Sequence, residues 1–244
     1  MKSFSRIVSA VVGLSFAACL GGCMPDLRAE QSRMRGYDAL TRREDPQAAL
    51  AWFKTAADQD PANPKAHYYI GRITLDTGGD PAFARRHLEI AHTLSLKDRL
   101  NSTSPYPGTR AAVPTASLDQ IADALGEAHF REKNPHRLIA FLDQQVEEEG
   151  SVEAYMRRGF YLHKVGDNDN ARLSYQEAAR LSGGTSARPY VALADFYDSV
   201  GDREQALTNL RVAYGINPDH PRLANRIRAH GTVPGPTVAL PVPE

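Results

Sequence analysis

Three kinds of stretch in this sequence hold side chains able to do chemistry. Asp76-Thr77-Gly78, preceded by the apolar Leu75, has the form of a loop that presents one carboxylate of an acid pair. Peptide hydrolysis by that route needs two carboxylates sharing one proton on a β scaffold, and the triplet has no second copy here. Asp167-Asn168-Asp169-Asn170 opens like a calcium loop. Such a loop requires Gly at its sixth place and Glu at its twelfth; Arg172 and Ala178 stand there instead. The histidines are His67, His87, His92, His129, His136, His163, His220 and His230, and no two lie four apart as zinc ligands on one helix face would. H-E-x-x-H, G-x-S-x-G, S-x-x-K and a phosphate-binding glycine loop are all missing from the sequence. The expectation is a non-enzymatic chain with no cofactor, no metal and no small-molecule substrate.

The same stretches make sense as helix punctuation. Asp45-Pro46, Asp80-Pro81, Asn134-Pro135, Asp167 and Asp202 are five helix starts, because Asp and Asn cap the free N–H groups of a first turn and Pro fits its first position. Four residues beyond each cap stand Ala49, Ala84, Leu138, Ala171 and Ala206; four further on stand Phe53, Leu88, Leu142, Tyr175 and Leu210. Three beyond those come Ala56, Ala91, Gln145, Ala178 and Ala213, with Gln145 alone breaking the apolar rule. A small residue, Gly36, Gly71, Gly126, Gly159 or Ala194, precedes each cap within the preceding helix. The last two units are the clearest. Tyr155, Gly159, Leu162, Gly166-Asp167, Ala171, Tyr175 and Ala178 recur at a constant shift as Tyr190, Ala194, Tyr197, Gly201-Asp202, Ala206, Leu210 and Ala213.

This pattern resembles the tetratricopeptide repeat, in which small residues let two antiparallel helices approach and large ones fill the groove to the next pair. The resemblance implies an all-α fold, a solenoid of about five antiparallel helix pairs, closed by a C-terminal capping helix at residues 221–229, where Leu223 and Ile227 share one face. It also implies that the first helix of each pair lines a surface on which peptides lie. Taking the helix face opposite the packing stripe, the candidate groove residues are Tyr37 and Arg33; Tyr68, Arg72 and Asp76; Glu127, Phe130 and Arg131; Met156, Phe160, His163 and Lys164; and Arg188, Val191, Asp195 and Asp198. Met156 and Phe160 are apolar where helix-pair packing does not require it. They are either part of a peptide groove or packed on a neighbouring helix or loop, and the sequence leaves both open.

The two cysteines lie in the first 23 residues. Lys2 and Arg6 precede an apolar run from Ile7 to Ala18, too short to span a bilayer, which needs about 20 residues. The run reads as a signal peptide over residues 1–22. Leu20-Gly21-Gly22-Cys23 resembles the bacterial lipobox, which implies acylation of Cys23 and a lipid-anchored chain; Cys19 fits less well, since Phe16 occupies the Leu place. A plain secretory peptide is the alternative. Met24 after the cysteine implies, by the same resemblance, the periplasmic face of a bacterial outer membrane. Lys plus Arg and Asp plus Glu each number 29. Loss of Lys2 and Arg6 with the leader therefore leaves a slight acidic excess and no basic face for nucleic acid.

The expected organisation is repeats one and two over residues 23–96, a flexible loop over 97–116 carrying Pro105, Pro107 and Pro114, repeats three to five with the capping helix over 117–230, and a disordered Pro-rich tail over 231–244. The expected function is a lipid-anchored periplasmic scaffold that binds other envelope proteins or peptide segments during assembly of a pilus, secretion channel or outer-membrane machine. In overall plan the chain is similar to tight-adherence and type IV pilus lipoproteins. A regulator or recruiter of a cell-wall hydrolase or synthase is the alternative.

Overall fold

The computed structural model of the chain describes residues 24–101, 115–220 and 222–243. The leader, Cys19, Cys23 and residues 102–114 of the expected loop lie outside the described residues, so what is said of them stands on the sequence alone.

Among the described residues eleven helices form and no strand. They are α1 (Met24–Thr41), α2 (Pro46–Gln59), α3 (Pro64–Asp76), α4 (Pro81–Asn101), α5 (Leu118–Arg131), α6 (Pro135–Glu149), α7 (Val152–Lys164), α8 (Asn168–Ser182), α9 (Arg188–Ser199), α10 (Arg203–Ile216) and α11 (Leu223–Ala229). All five expected caps are made. Asp45 accepts from the Ala48 amide, Asp80 from those of Ala82 and Phe83, Asn134 from Arg137, Asp167 from Asn170 and Asp202 from Gln205. Ser117 and Gln120 form the reciprocal capping box at the start of α5. Ser151 and Asn63 cap α7 and α3, two starts the repeat pattern had not singled out.

Every residue of the three-place stripe is buried, Gln145 included. The small residue of the first helix has a single steric purpose. A Cβ at Gly71 would stand 2.5 Å from Leu88 Cγ, and one at Gly159 2.9 Å from the Tyr175 ring. In the α1–α2, α3–α4 and α7–α8 hairpins the aliphatic or aromatic side chain of the second helix thus sits on the bare backbone of the first. Burying a residue such as Phe53 or Leu210 contributes about 2–3 kcal/mol before cavity effects.

The chain divides into two compact units, Met1–Glu132 and Lys133–Glu244. In the first, α1 pairs with α2 and α3 with α4, α2 packs on α3, and α5 lies against α4 and α3. In the second, α6 lies against α7, the pairs α7–α8 and α9–α10 stack in turn, and α11 covers α10. Leu223 and Ile227 of α11 are fully buried in the second unit's core, as a capping helix requires.

Three expectations about organisation change. The division falls between α5 and α6 and not at the 97–116 segment, because α5 is tied to α3 and α4 by ion pairs described below. Helix α4 continues to Asn101, since Leu94 to Asn101 contains neither Gly nor Pro to stop it. The tail over 231–243 is extended but not disordered. A Gly235–Val238 turn reverses it, and Val238, Leu240 and Val242 pack against the second unit's core.

Candidate functional site

In the first unit, α3 and α5 bring five of the candidate groove residues together. Arg72 is the hub. Its Nε and Nη2 hold the Asp76 carboxylate one turn on, at 3.1 and 2.6 Å, and its Nη1 reaches Glu127 of α5 at 3.0 Å. Glu127 also pairs with Arg131, one turn along α5, and Arg131 donates to the Leu75 carbonyl at the open C-terminal end of α3. Burial, offset by Arg72 and reinforced by the Asp76 and Asp123 carboxylates, raises the Tyr68 phenol above its usual pKa. Tyr68 therefore stays a neutral donor and acceptor beside this network. Phe130 is half-buried on α5. The cluster's charges are spent on one another, which suits holding α5 to α3 more than seizing a ligand.

Tyr37 of α1 belongs to a separate aromatic group. Its ring meets Tyr69 edge-on at 6.0 Å, and Tyr69 stacks on Phe53 at 4.6 Å. Burial, with the Tyr37 and Tyr68 phenols adding to it, pushes the Tyr69 hydroxyl up to about 12. Arg33, expected on the exposed face, is instead 7% exposed, pairing with Glu30 and with Asp60 at 3.2 Å. Its charge bridges α1 to the end of α2. Beside this group His67 and His87 face each other through their Nδ1 atoms at 2.9 Å. The His67 Nε2–H donates to the Pro61 carbonyl at 3.0 Å, so His67 Nδ1 must accept from His87 Nδ1–H.

In the second unit the candidate residues separate into two sets. Met156, Phe160 and Lys164 follow one another at helical spacing along α7. Phe160 is 46% exposed, its ring edge-on to that of Tyr161, 5.0 Å away, with the Lys164 ammonium 5.4 Å from its centroid. Arg188 of α9 reaches Glu153 of α7 at 3.9 Å. The other set is already engaged. Arg226 of the capping helix pairs with Asp195 at 2.7 Å and Asp198 at 3.2 Å, and His230 meets Asp198 at 3.1 Å. Val191 packs against the core. Arg226 carried no repeat signature; only its place in the capping helix pointed to this role.

His163 deserves a chemical test, because its Nε2 lies 3.1 Å from Ser199 Oγ and its Nδ1 2.7 Å from Asn168 Oδ1. On distances alone this is a nucleophile, a base and an orienting amide. The Ser199 hydroxyl, however, donates its single hydrogen to the Phe196 carbonyl at 2.5 Å. Oγ must then accept from Nε2–H, the reverse of what activates a nucleophile, and Nδ1 becomes an acceptor, which Asn168 satisfies with its side-chain amide turned so that Nδ2 donates to the ring. With its edge on Phe196 at 5.3 Å, His163 is a strut joining α7, α8 and α9. Asp76-Thr77-Gly78 ends α3 and Asp167 caps α8, as the helical reading has it. Among the described residues no three His, Cys, Asp or Glu side chains are grouped to hold a metal ion, and no helix is long and apolar enough to cross a membrane.

Comparison with known proteins places this geometry. Residues 152–184 and 187–220, which contain α7–α8 and α9–α10, match the model of the tetratricopeptide repeat. A crystal structure of MamA is similar at 20% identity, covering 77% of this chain and 96% of that one with a TM-score of 0.51. The MamA segment from residue 41 to the end, from Desulfovibrio magneticus RS-1, is similar at 16% identity, covering 80% of this chain and 97% of that one with a TM-score of 0.53. At such identities the likeness is one of fold. No curated protein sequence matches this one. The helix pairs α7–α8 and α9–α10 are therefore tetratricopeptide repeats, and the chain that carries them is all-α in its described residues, with further antiparallel pairs α1–α2 and α3–α4.

Proposed function

We propose that the chain is a lipid-anchored periplasmic scaffold that binds segments of other envelope proteins while a pilus, secretion channel or outer-membrane machine is assembled. One observation carries the binding half of this reading. Phe160, in the first helix of a matched repeat, keeps 46% of its surface in water. An aromatic side chain between a methionine and a lysine on one helix face offers apolar area and a cation to an extended peptide. Anchoring rests on the Leu20-Gly21-Gly22-Cys23 sequence, since two or three acyl chains hold a protein stably to a bilayer where one does not.

The full chain and its Phe160→Glu variant, extracted in detergent and recovered with their neighbours, test the binding half. Loss of a defined set of envelope proteins, with the helix signal and melting unchanged, supports it. Retention of the same set, or a lowered melting temperature, overturns the assignment to α7. Recovery of a cell-wall hydrolase or synthase in place of assembly components would favour a regulator. For the anchor, mass spectrometry of the N-terminal peptide should find an acylated Cys23, and Cys23→Ser should move the chain from the membrane to the soluble fraction.

A further inference from the structure

The tail is held as a ligand is held. From the Gly235–Val238 turn it runs back along the second unit, placing Val238, Leu240 and Val242 against the core at every second residue. Arg211 of α10 grips its backbone from two sides. The Arg211 carbonyl accepts from the Leu240 amide at 3.2 Å, and the Arg211 Nε donates to the Val238 carbonyl at 2.7 Å. Two glycines make room: a Cβ at Gly215 would stand 2.7 Å from the Leu240 oxygen, and one at Gly184 2.6 Å from Val242 Cγ2. The intervening residues toward the end, Pro241 and Pro243, are exposed, and the segment 231–243 carries no charge.

We propose that this slot, between α10 and the α8–α9 loop, is a binding site for uncharged, proline-spaced, extended segments with apolar side chains at alternate positions. Its resident occupant is the chain's own 238–242. Main-chain hydrogen bonds fix the direction of such a segment, and the pockets for alternate side chains select it. The proline at 241 fixes an extended backbone and cuts the ordering cost of docking. The end of the helix stack is covered by Leu223 and Ile227 of α11, and the tail residues are only partly buried at the edge of that core. The slot shares no residue with the Phe160 strip. A segment of the same chemistry from another protein would have to displace a tethered one, whose effective concentration over a short linker is of millimolar order.

The test uses the full chain and a fluorescent peptide with the sequence of residues 236–243. Leu240→Asp places a charge where the slot takes an aliphatic group, which frees the slot, so this variant should bind the peptide. The native chain should bind it at least about tenfold more weakly, because its own tail competes. Adding Gly215→Ala to Leu240→Asp should abolish binding while leaving the α10 helix intact, since alanine favours helix over glycine. In the native chain the Leu240 amide should exchange slowly with deuterium, and Gly215→Ala alone should remove that protection. Equal peptide binding by native chain and Leu240→Asp, or none by either with Leu240 unprotected, overturns the proposal. Failure of Leu240→Asp to fold also overturns it, since the tail would then be core. A dimeric native chain whose Leu240 protection falls on dilution would show a tail exchanged between copies, and would overturn occupancy within one chain.

Discussion

The exposed faces of the first helices differ between the two units. On α3 and α5 of the first, Arg72, Asp76, Glu127 and Arg131 satisfy one another and leave the α3 carbonyl end capped. On α7 of the second, Phe160 is 46% exposed, with an edge contact to Tyr161 and the Lys164 ammonium nearby. The first arrangement spends polar groups on holding α5 to α3. The second leaves surface unspent inside a complete repeat. Residues at equivalent places in a repeat can thus serve cohesion in one unit and recognition in another.

Substitutions can break that contrast, beginning with the hairpin seats. Gly71→Val would drive a side chain into Leu88 and should destabilise the first unit by about 3 kcal/mol or more, with hydrogen exchange rising in α3 and α4 before α7 to α10. Acid should act on the same unit. Burial, followed by the His67 ring, Lys54 and Arg86, pushes His87 down to about 4. The unfolded chain takes up that proton near pH 6.5 while the folded chain refuses it until about 4, so stability falls as pH drops through that window and levels off below it. With solvent screening of a half-exposed ring the loss is about 1–2 kcal/mol, read by chemical denaturation at pH 7 and pH 4. His87→Asn should flatten the profile.

Smaller effects sharpen the comparison. Glu127→Gln removes charge from both Arg72 and Arg131 and should cost about 1 kcal/mol in the first unit. Gln145, 4% exposed with its Oε1 unbonded, is a polar group in the apolar stripe of α6; Gln145→Met should stabilise the second unit by about 1 kcal/mol. Phe160→Glu should change stability by less than about 0.5 kcal/mol, which separates surface from core.

The parts of this structure that could be read in the sequence are those fixed within one helix and its neighbour. A cap such as Asp202, a seat such as Gly159 and a stripe such as Ala171, Tyr175 and Ala178 are local periodic signals, and all stand where expected. The allegiance of α5 depends on Arg72 meeting Glu127 and Arg85 meeting Glu132, partners far apart in sequence with no period linking them. Asp195 and Asp198 looked available because helical phase says which way a side chain leaves its helix, not what waits there. Arg226 waits there. The tail hid a different signal, Val238, Leu240 and Val242 alternating within an uncharged proline-rich stretch, which is the period of a docked strand.

Glu44 and Lys133 show what a missing glycine means in such turns. Both adopt left-handed backbone, at φ 52 and 56, immediately before the Asp45 and Asn134 caps, where Gly166 and Gly201 precede the caps of the matched repeats. Glu44→Gly should therefore relieve about 1 kcal/mol of backbone strain, less the entropy glycine adds to the unfolded chain.

The short helix α11 has one further consequence. Its apolar side is used up inward by Leu223 and Ile227, while Arg222, Asn225 and Arg228 point to water. A stack of hairpins ending on a bare greasy face is a template for joining molecule to molecule in a fibre. Here the outward side of that last helix carries cations, which disfavours stacking a second molecule's hairpin on it.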